Sequence, residues 1–213
     1  MNFAMHTNMH TAVPPQNLQP SLTTVAGWPL NCREYLQEEL TGRPASPEIV
    51  ADPLRAVLAS MLAGRSLNQG VLSATLGMSP KTFQLFFSRY FPGAALQLED
   101  GAGEDTVERT DLLQLLTEYR AGVHDSELWL AEIIAWACSG RNHLWQDLGL
   151  ANRSELSLLM FTAFPRLAEL NVGDMKWKKF IYRHYCAREG IYVCPAPSCG
   201  ECCDFSKCFA PEN

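Results

Sequence analysis

Apolar positions recur at intervals of three and four along most of the chain from Asn31 to Gly190. That is the period of a helix, and no segment sustains the alternation of a half-buried strand. The pattern predicts an all-α fold, a compact helical domain with a C-terminal cysteine-rich metal-binding loop. A helix is expected from Ser46-Pro47, with Ser46 as cap and Pro47 in the first turn, to a stop at Gly64. Ser66-x-x-Gln69 reads as a capping box for a short helix. Ser79-Pro80 opens another, which ends near Pro92-Gly93. Further helices are expected over 106–121, 125–139 and 142–149. Asn152-x-x-Glu155 caps the next, bent near Pro165. The last runs from Asp174 as N-cap to Gly190 as stop.

Three zones follow. Residues 1–27 are rich in Thr, Asn, Pro, Gln and Met, lack periodicity, and are expected to form a disordered tail. His6 and His10 in that tail read as solvated rather than ligating. Residues 28–190 form the helical domain, in two halves joined by an acidic loop at 99–108. Residues 191–213 form the cysteine-rich segment.

Leu76-Gly77-Met78-Ser79-Pro80 looks like the turn of a helix-turn-helix. A DNA-reading second helix would offer polar and basic side chains to the groove. The helix after this turn instead carries Phe83, Leu85, Phe86, Phe87, Tyr90 and Phe91, with only Lys81 and Arg89 to meet phosphate. A helical hairpin buried in the core is the better expectation. The net charge of −6 agrees, since it disfavours a nucleic-acid surface. The apolar run from Leu128 to Cys138 is too short to span a membrane and is interrupted by Glu132. No basic start followed by an apolar run marks an export signal, so a cytoplasmic protein is expected. No nucleophile–base spacing and no phosphate-binding glycine motif is present, so the chain is not expected to be an enzyme.

Chemistry concentrates near the C-terminus. Of eight cysteines, Cys194, Cys199, Cys202 and Cys208 stand at C-x4-C-x2-C-x5-C. Four thiolates so close together suit a soft metal or an iron–sulfur cluster. Structural zinc is the alternative, although zinc knuckles usually come as two separated pairs. Disulfides fit poorly with a chain long enough to build its own core. Pro195 and Pro197 favour an extended run, and Gly200 suits a tight turn between Cys199 and Cys202. Cys203 adjoins Cys202 and reads as a spare thiol or alternative ligand. Cys32, Cys138 and Cys186 lie apart, and a buried thiol is the expectation for Cys186.

The helix upstream offers a second feature. Trp177, Phe180, Ile181 and His184 share one face. Lys176, Lys179 and Arg183 share another, with Lys178 and Arg188 nearby. Most such charged faces are merely solvated. Here the cations precede a cluster of thiolates, and they would favour a negatively charged cluster or an oxyanion. His143 and His184 are expected to be structural, although imidazole is an acceptable ligand for iron or molybdenum.

The run from His143-Leu-Trp-Gln-Asp-Leu-Gly-Leu through Asp174-Met-Lys-Trp-Lys-Lys-Phe to the four cysteines and Phe209 resembles the NifQ family of nitrogen-fixation proteins. The resemblance covers residues 125 to 210 and extends back to about residue 46. It implies an iron–sulfur cluster held by Cys194, Cys199, Cys202 and Cys208, able to take up molybdenum. It also implies molybdenum supply for the iron–molybdenum cofactor of nitrogenase. The partners it implies are the cofactor scaffold and the nitrogenase iron protein. A regulatory or interaction protein with structural zinc and a helix-turn-helix is the competing expectation.

Overall fold

The computed structural model describes residues 32–95 and 107–190. Among them stand ten α-helices and no strand, as the apolar period predicts. They are α1 (Cys32–Thr41), α2 (Pro47–Val50), α3 (Arg55–Ser66), α4 (Pro80–Tyr90) and α5 (Val107–Tyr119), then α6 (Ser126–Ala137), α7 (Leu144–Asp147), α8 (Arg153–Ala163), α9 (Pro165–Glu169) and α10 (Trp177–Glu189). The tail at 1–27, most of the acidic loop at 99–108 and the cysteine segment at 191–213 lie outside the described residues.

Several helix ends follow from local chemistry. Ser79 Oγ accepts the backbone N–H of Thr82 and Pro80 fills the first turn, so α4 starts where its cap dictates. Asn152 accepts the N–H of Glu155 and opens α8 in the same way. Gly190 closes α10 at φ 68°, a left-handed stop that glycine adopts without strain.

Elsewhere the structure departs from expectation. The helix expected from 47 to 64 is two helices. Pro53 disfavours helical backbone at Asp52 and supplies no N–H, so α2 stops at Val50. Asp52 caps the break instead, its Oδ1 accepting the N–H of Leu54 at 2.9 Å. Ser46 has the extended backbone of a cap, but its side chain makes no capping hydrogen bond. Gly64 does not stop α3. It sits within the helix because a Cβ there would meet the carbonyl oxygen of Gly149 at 2.0 Å. Ser66 and Gln69 form no capping box. Ser66 Oγ donates to the Leu62 carbonyl, and the Gln69 side chain accepts from Arg33. Residues 67–79 are turns, tied down by the Val71 N–H donating to the Asp147 carbonyl at 3.0 Å. No helix therefore precedes α4 in that stretch. It is neither a helix-turn-helix nor a helical hairpin. The bend expected near Pro165 is a break, with Phe164 leaving helical geometry and Pro165 starting α9.

One continuous set of buried apolar side chains runs from Leu40 on α1 to Cys186 on α10. Every residue of α3 from Val57 to Gly64 is buried, which makes it the central helix. α1 packs on α3, α5 on α6, α8 on α7 and α9, and α10 on α5. Phe83 stacks on Phe87 with centroids 5.5 Å apart, while Trp129 meets Phe86 at 5.2 Å and Tyr90 at 5.1 Å. Each such ring contributes roughly 1.5–3 kcal/mol by leaving water. Arg55 is buried and satisfied by the carbonyls of Arg43 and Tyr90, at 2.7 and 3.2 Å. None of the described helices is long and apolar enough to cross a membrane.

Candidate functional site

α10 is the helix that leads into the cysteines, with Cys194 following Gly190 by four residues. Its start differs from expectation. Lys176, not Asp174, occupies the N-cap position. Asp174 sits at φ 47° in a turn, where its carboxylate accepts from Arg153 at 2.7 Å. The apolar face forms as the spacing predicts: Trp177, Phe180, Ile181 and Tyr185 are buried.

The five basic residues of this helical segment divide into two groups. Lys178 is structural. It stands at i, i+3, i+4 and i+7 with Ile181, Tyr182 and Tyr185, which are all buried, so helical geometry turns it inward. Its Nζ donates to the carbonyls of Gly140 and Asn142 at 2.9 and 3.0 Å and to Asp147 Oδ2 at 2.5 Å. Three donors thus meet three acceptors. Asp147 is wholly buried and also accepts the backbone and side-chain N–H groups of Asn142, each at 3.1 Å. Gly140 makes room, because a Cβ there would lie 2.4 Å from Asp147 Oδ2. Arg188 is engaged as well, with Glu118 at 2.5 Å and Glu189 at 3.0 Å. Lys178 is the residue that the sequence reading did not single out, although a lysine inside an apolar stripe was the available signal.

Lys176, Lys179 and Arg183 form the other group. Spaced by three and four residues, they line one stripe of α10 away from the buried face. Arg183 is exposed, and Lys176 and Lys179 are half-buried. Glu189 lies on a different side of α10 and pairs with Arg188. Three like charges on one face favour an anion there.

Packing partners hold this stripe in place. His184 Nε2 lies 2.9 Å from the Tyr119 hydroxyl, and its ring stacks on Phe180 at 5.9 Å. Burial, with the Arg188 charge second, holds the imidazole below its ordinary pKa. The Tyr185 hydroxyl donates to Asp111 at 2.5 Å, a bond that with partial burial pushes its pKa up to about 12. The Tyr182 hydroxyl donates to the Cys138 carbonyl at 3.4 Å. Burial pushes the Cys138 thiol up to about 12, so it stays protonated and is a poor metal ligand. Cys32, Cys138 and Cys186 are all buried, as ordinary core cysteines are. His143 caps α7, its N–H donating to the Gln146 side chain at 3.1 Å. Both histidines thus take packing or capping positions in the described structure.

Cys194, Cys199, Cys202, Cys203 and Cys208 lie outside the described residues. Among the described residues, no group of three or more His, Cys, Asp or Glu side chains is placed to hold a metal ion. The donor set therefore rests on its chemistry. Four cysteines within one short segment supply soft sulfur in the number that a cluster or a tetrahedral metal takes.

The NifQ family model matches residues 57–210. The chain belongs to the NifQ family. Its matched stretch contains all four cysteines, α10 and the Lys178–Asp147 pair. Protein NifQ from Azotobacter vinelandii is 40% identical over 152 residues, covering 64% of this chain and 78% of that protein. Protein NifQ from Rhodobacter capsulatus is 36% identical over 167 residues, covering 78% and 93%. Protein NifQ from Klebsiella pneumoniae is 38% identical over 149 residues, covering 66% and 89%. No solved structure matches the chain significantly. NifQ membership implies a role in nitrogen fixation. Helices α1 and α2 lie before the stretch that the family model matches.

Proposed function

We propose that this chain is a metallocluster carrier that captures molybdenum and donates it for assembly of the iron–molybdenum cofactor of nitrogenase. The observation that carries the reading is the C-x4-C-x2-C-x5-C spacing within a stretch that matches the NifQ family. Cys194, Cys199, Cys202 and Cys208 hold an iron–sulfur cluster through thiolate, and Cys203 is a spare thiol beside them. Bound there, the cluster supplies soft sulfur ligands that suit molybdenum once its oxo groups are gone. Lys176, Lys179 and Arg183 draw the molybdate dianion toward the C-terminal segment by charge. Lys178 and Arg188 lie beside this stripe and pair with Asp147 and Glu118. The protein works in the reducing cytoplasm, where thiolates persist. It is a donor rather than an enzyme. Its partners are the nitrogenase cofactor scaffold and the nitrogenase iron protein.

Anaerobic purification tests this directly. The protein is expected to be brown, with iron and labile sulfide, and to support cofactor assembly in a purified system without added molybdate. Cys199→Ser or Cys202→Ser is expected to abolish both properties while far-UV helix content persists. Colourless protein holding zinc alone, or loaded protein that cannot replace molybdate, would refute the proposal.

A further inference from the structure

Three stretches of backbone cross in direct contact beside α1. Gly64 lies on α3, Gly70 in the turns that follow it, and Gly149 between α7 and α8. A Cβ at Gly70 would lie 2.7 Å from the Gly149 nitrogen, and one at Gly149 would lie 2.9 Å from the Gln69 carbonyl oxygen. Arg33 of α1 reaches over this crossing. Its Nη1 donates to the carbonyl and to the Oγ of Ser60, each at 3.0 Å. Its Nη2 donates to the Gly149 carbonyl at 2.6 Å and to Gln69 Oε1. Ser60 is wholly buried, and its Oγ donates in turn to Glu155 Oε2 at 2.8 Å. The same carboxylate oxygen accepts the N–H of Ala151 at 2.9 Å. Arg33 therefore holds the start of the 149–155 segment directly and its end through Ser60. Burial pulls the Arg33 pKa down, and the Glu155 charge opposes that. The guanidinium remains charged, as arginine does in proteins.

Asp147 stands two residues before Gly149. Its carbonyl accepts the Val71 N–H at 3.0 Å, and its carboxylate receives Lys178 of α10 at 2.5 Å. We infer that Arg33 is a positioning residue for α10: through the Gly149–Asp147 segment it makes α1 a clasp that keeps Asp147 in place for Lys178. The link is a contiguous run of hydrogen bonds and backbone, the kind of contact that carries coupling between distant elements. Arginine suits the task. Its planar fork meets Ser60 with one nitrogen and Gly149 with the other, whereas a lysine ammonium is a point charge that cannot span both. Gly149 is buried, and among the described residues Arg33 is the donor that its carbonyl meets. Without that donor the segment must shift or leave a buried acceptor unpaired. Apolar packing gives the start of α1 little other hold. Cys32 and Leu36 meet Ala63 and Leu67 in a small set apart from the main core. α10 leads the chain into the cysteines, so the clasp also fixes where that segment begins. Nothing in this link requires bound metal.

The test is amide hydrogen exchange of the full chain, read helix by helix. In Arg33→Met the amides of residues 178–185 should exchange about tenfold faster than in the parent, while those of residues 83–90 on α4 change by less than about twofold. Arg33→Lys should fall between the two, and it carries the same comparison if Arg33→Met does not fold. Gln37→Ala removes a different α1 contact, to the Ala56 carbonyl at 3.1 Å, and should leave exchange in α10 as in the parent. The route is tested in a second background. Combined with Lys178→Met, Arg33→Met should add little to the exchange rate that Lys178→Met alone gives α10, because the link is already cut. Equal acceleration of α4 and α10 would make Arg33 a general stabiliser and overturn the inference. So would parent-like exchange of α10 in both Arg33 variants, or acceleration of α10 by Gln37→Ala as large as that by Arg33→Met. Full additivity of Arg33→Met and Lys178→Met would show that Arg33 does not act through the Asp147–Lys178 pair, and would overturn it as well.

Discussion

Helix α4 sets Phe83, Phe86, Phe87 and Tyr90 on its buried face, and α10 sets Trp177, Phe180, Ile181 and Tyr185 on its own. The two differ in what else enters the core. On α4, the exposed Arg89 pairs with exposed Asp125, the kind of surface contact that contributes little. The tyrosine hydroxyl of Tyr90 is the polar group its buried face carries inward. On α10, Lys178, Tyr182 and Tyr185 all reach polar partners across the interface. Apolar shape alone leaves a helix some freedom to rotate or slide. Directional bonds to the 140–147 segment and to α5 remove that freedom. α4 fills the core, whereas α10 is oriented, and an oriented helix can present one stripe outward reproducibly. The contrast also shows that counting cations in a helix does not measure a charged surface.

The largest effect that could break this contrast concerns neighbouring lysines. Lys178→Ala leaves Asp147 buried without its cation. Removing one partner of a buried pair costs about 3–5 kcal/mol. Lys179→Ala, one position along, should cost less than about 1 kcal/mol. Urea unfolding of both variants checks this. Equal losses would mean that the inward pair does not orient α10.

The same pair shows what the sequence could and could not reveal. Caps are local chemistry, so Ser79 and Asn152 were legible from a few residues. The cationic stripe and the apolar face of α10 were legible from period alone. Long-range partners were not. Ser66 and Gln69 match a capping pattern, yet Gln69 is taken by Arg33 and the following turns are tied to Asp147. Asp174 has the right type for a cap, yet Arg153 draws it into a turn. Gly64 looked like a stop because its real role is a close approach to Gly149, distant in sequence. Pro53 was a readable signal that outweighed the favourable start at Ser46-Pro47. The four cysteines were legible through their spacing, which is a property of sequence.

A smaller effect sharpens the contrast from the side of α4. The Tyr90 hydroxyl donates to buried Asp52 at 2.5 Å, and burial, with Asp52 second, pushes its pKa well above the ordinary value. Tyr90→Phe keeps the ring against Trp129 and removes the bond. The carboxylate oxygen left unsatisfied should cost about 1–3 kcal/mol. Thermal unfolding should show that loss with no change in metal content, because α4 lies far from the cysteines in the chain. A change in metal content would tie the two regions together and blur the division of roles.

The smallest expected effect follows pH. His184 is the α10 contact that titrates nearest neutrality. Its ring is enclosed by Tyr119 and Phe180, with Arg188 also nearby, and its pKa is depressed below the usual value of about 6.5. The unfolded chain therefore takes up this proton at higher pH than the folded one does. Between the two pKa values the unfolded state binds more protons, so stability rises with pH. The contribution is complete above about pH 6.5 and is lost as pH falls through the folded value. His184→Phe keeps an aromatic ring on Phe180 and cannot titrate. Urea midpoints from about pH 7.5 down to about pH 5 should fall less steeply for that variant than for the parent. Parallel curves would show that His184 is solvated enough to titrate normally, and that the Tyr119 contact does not help to orient α10.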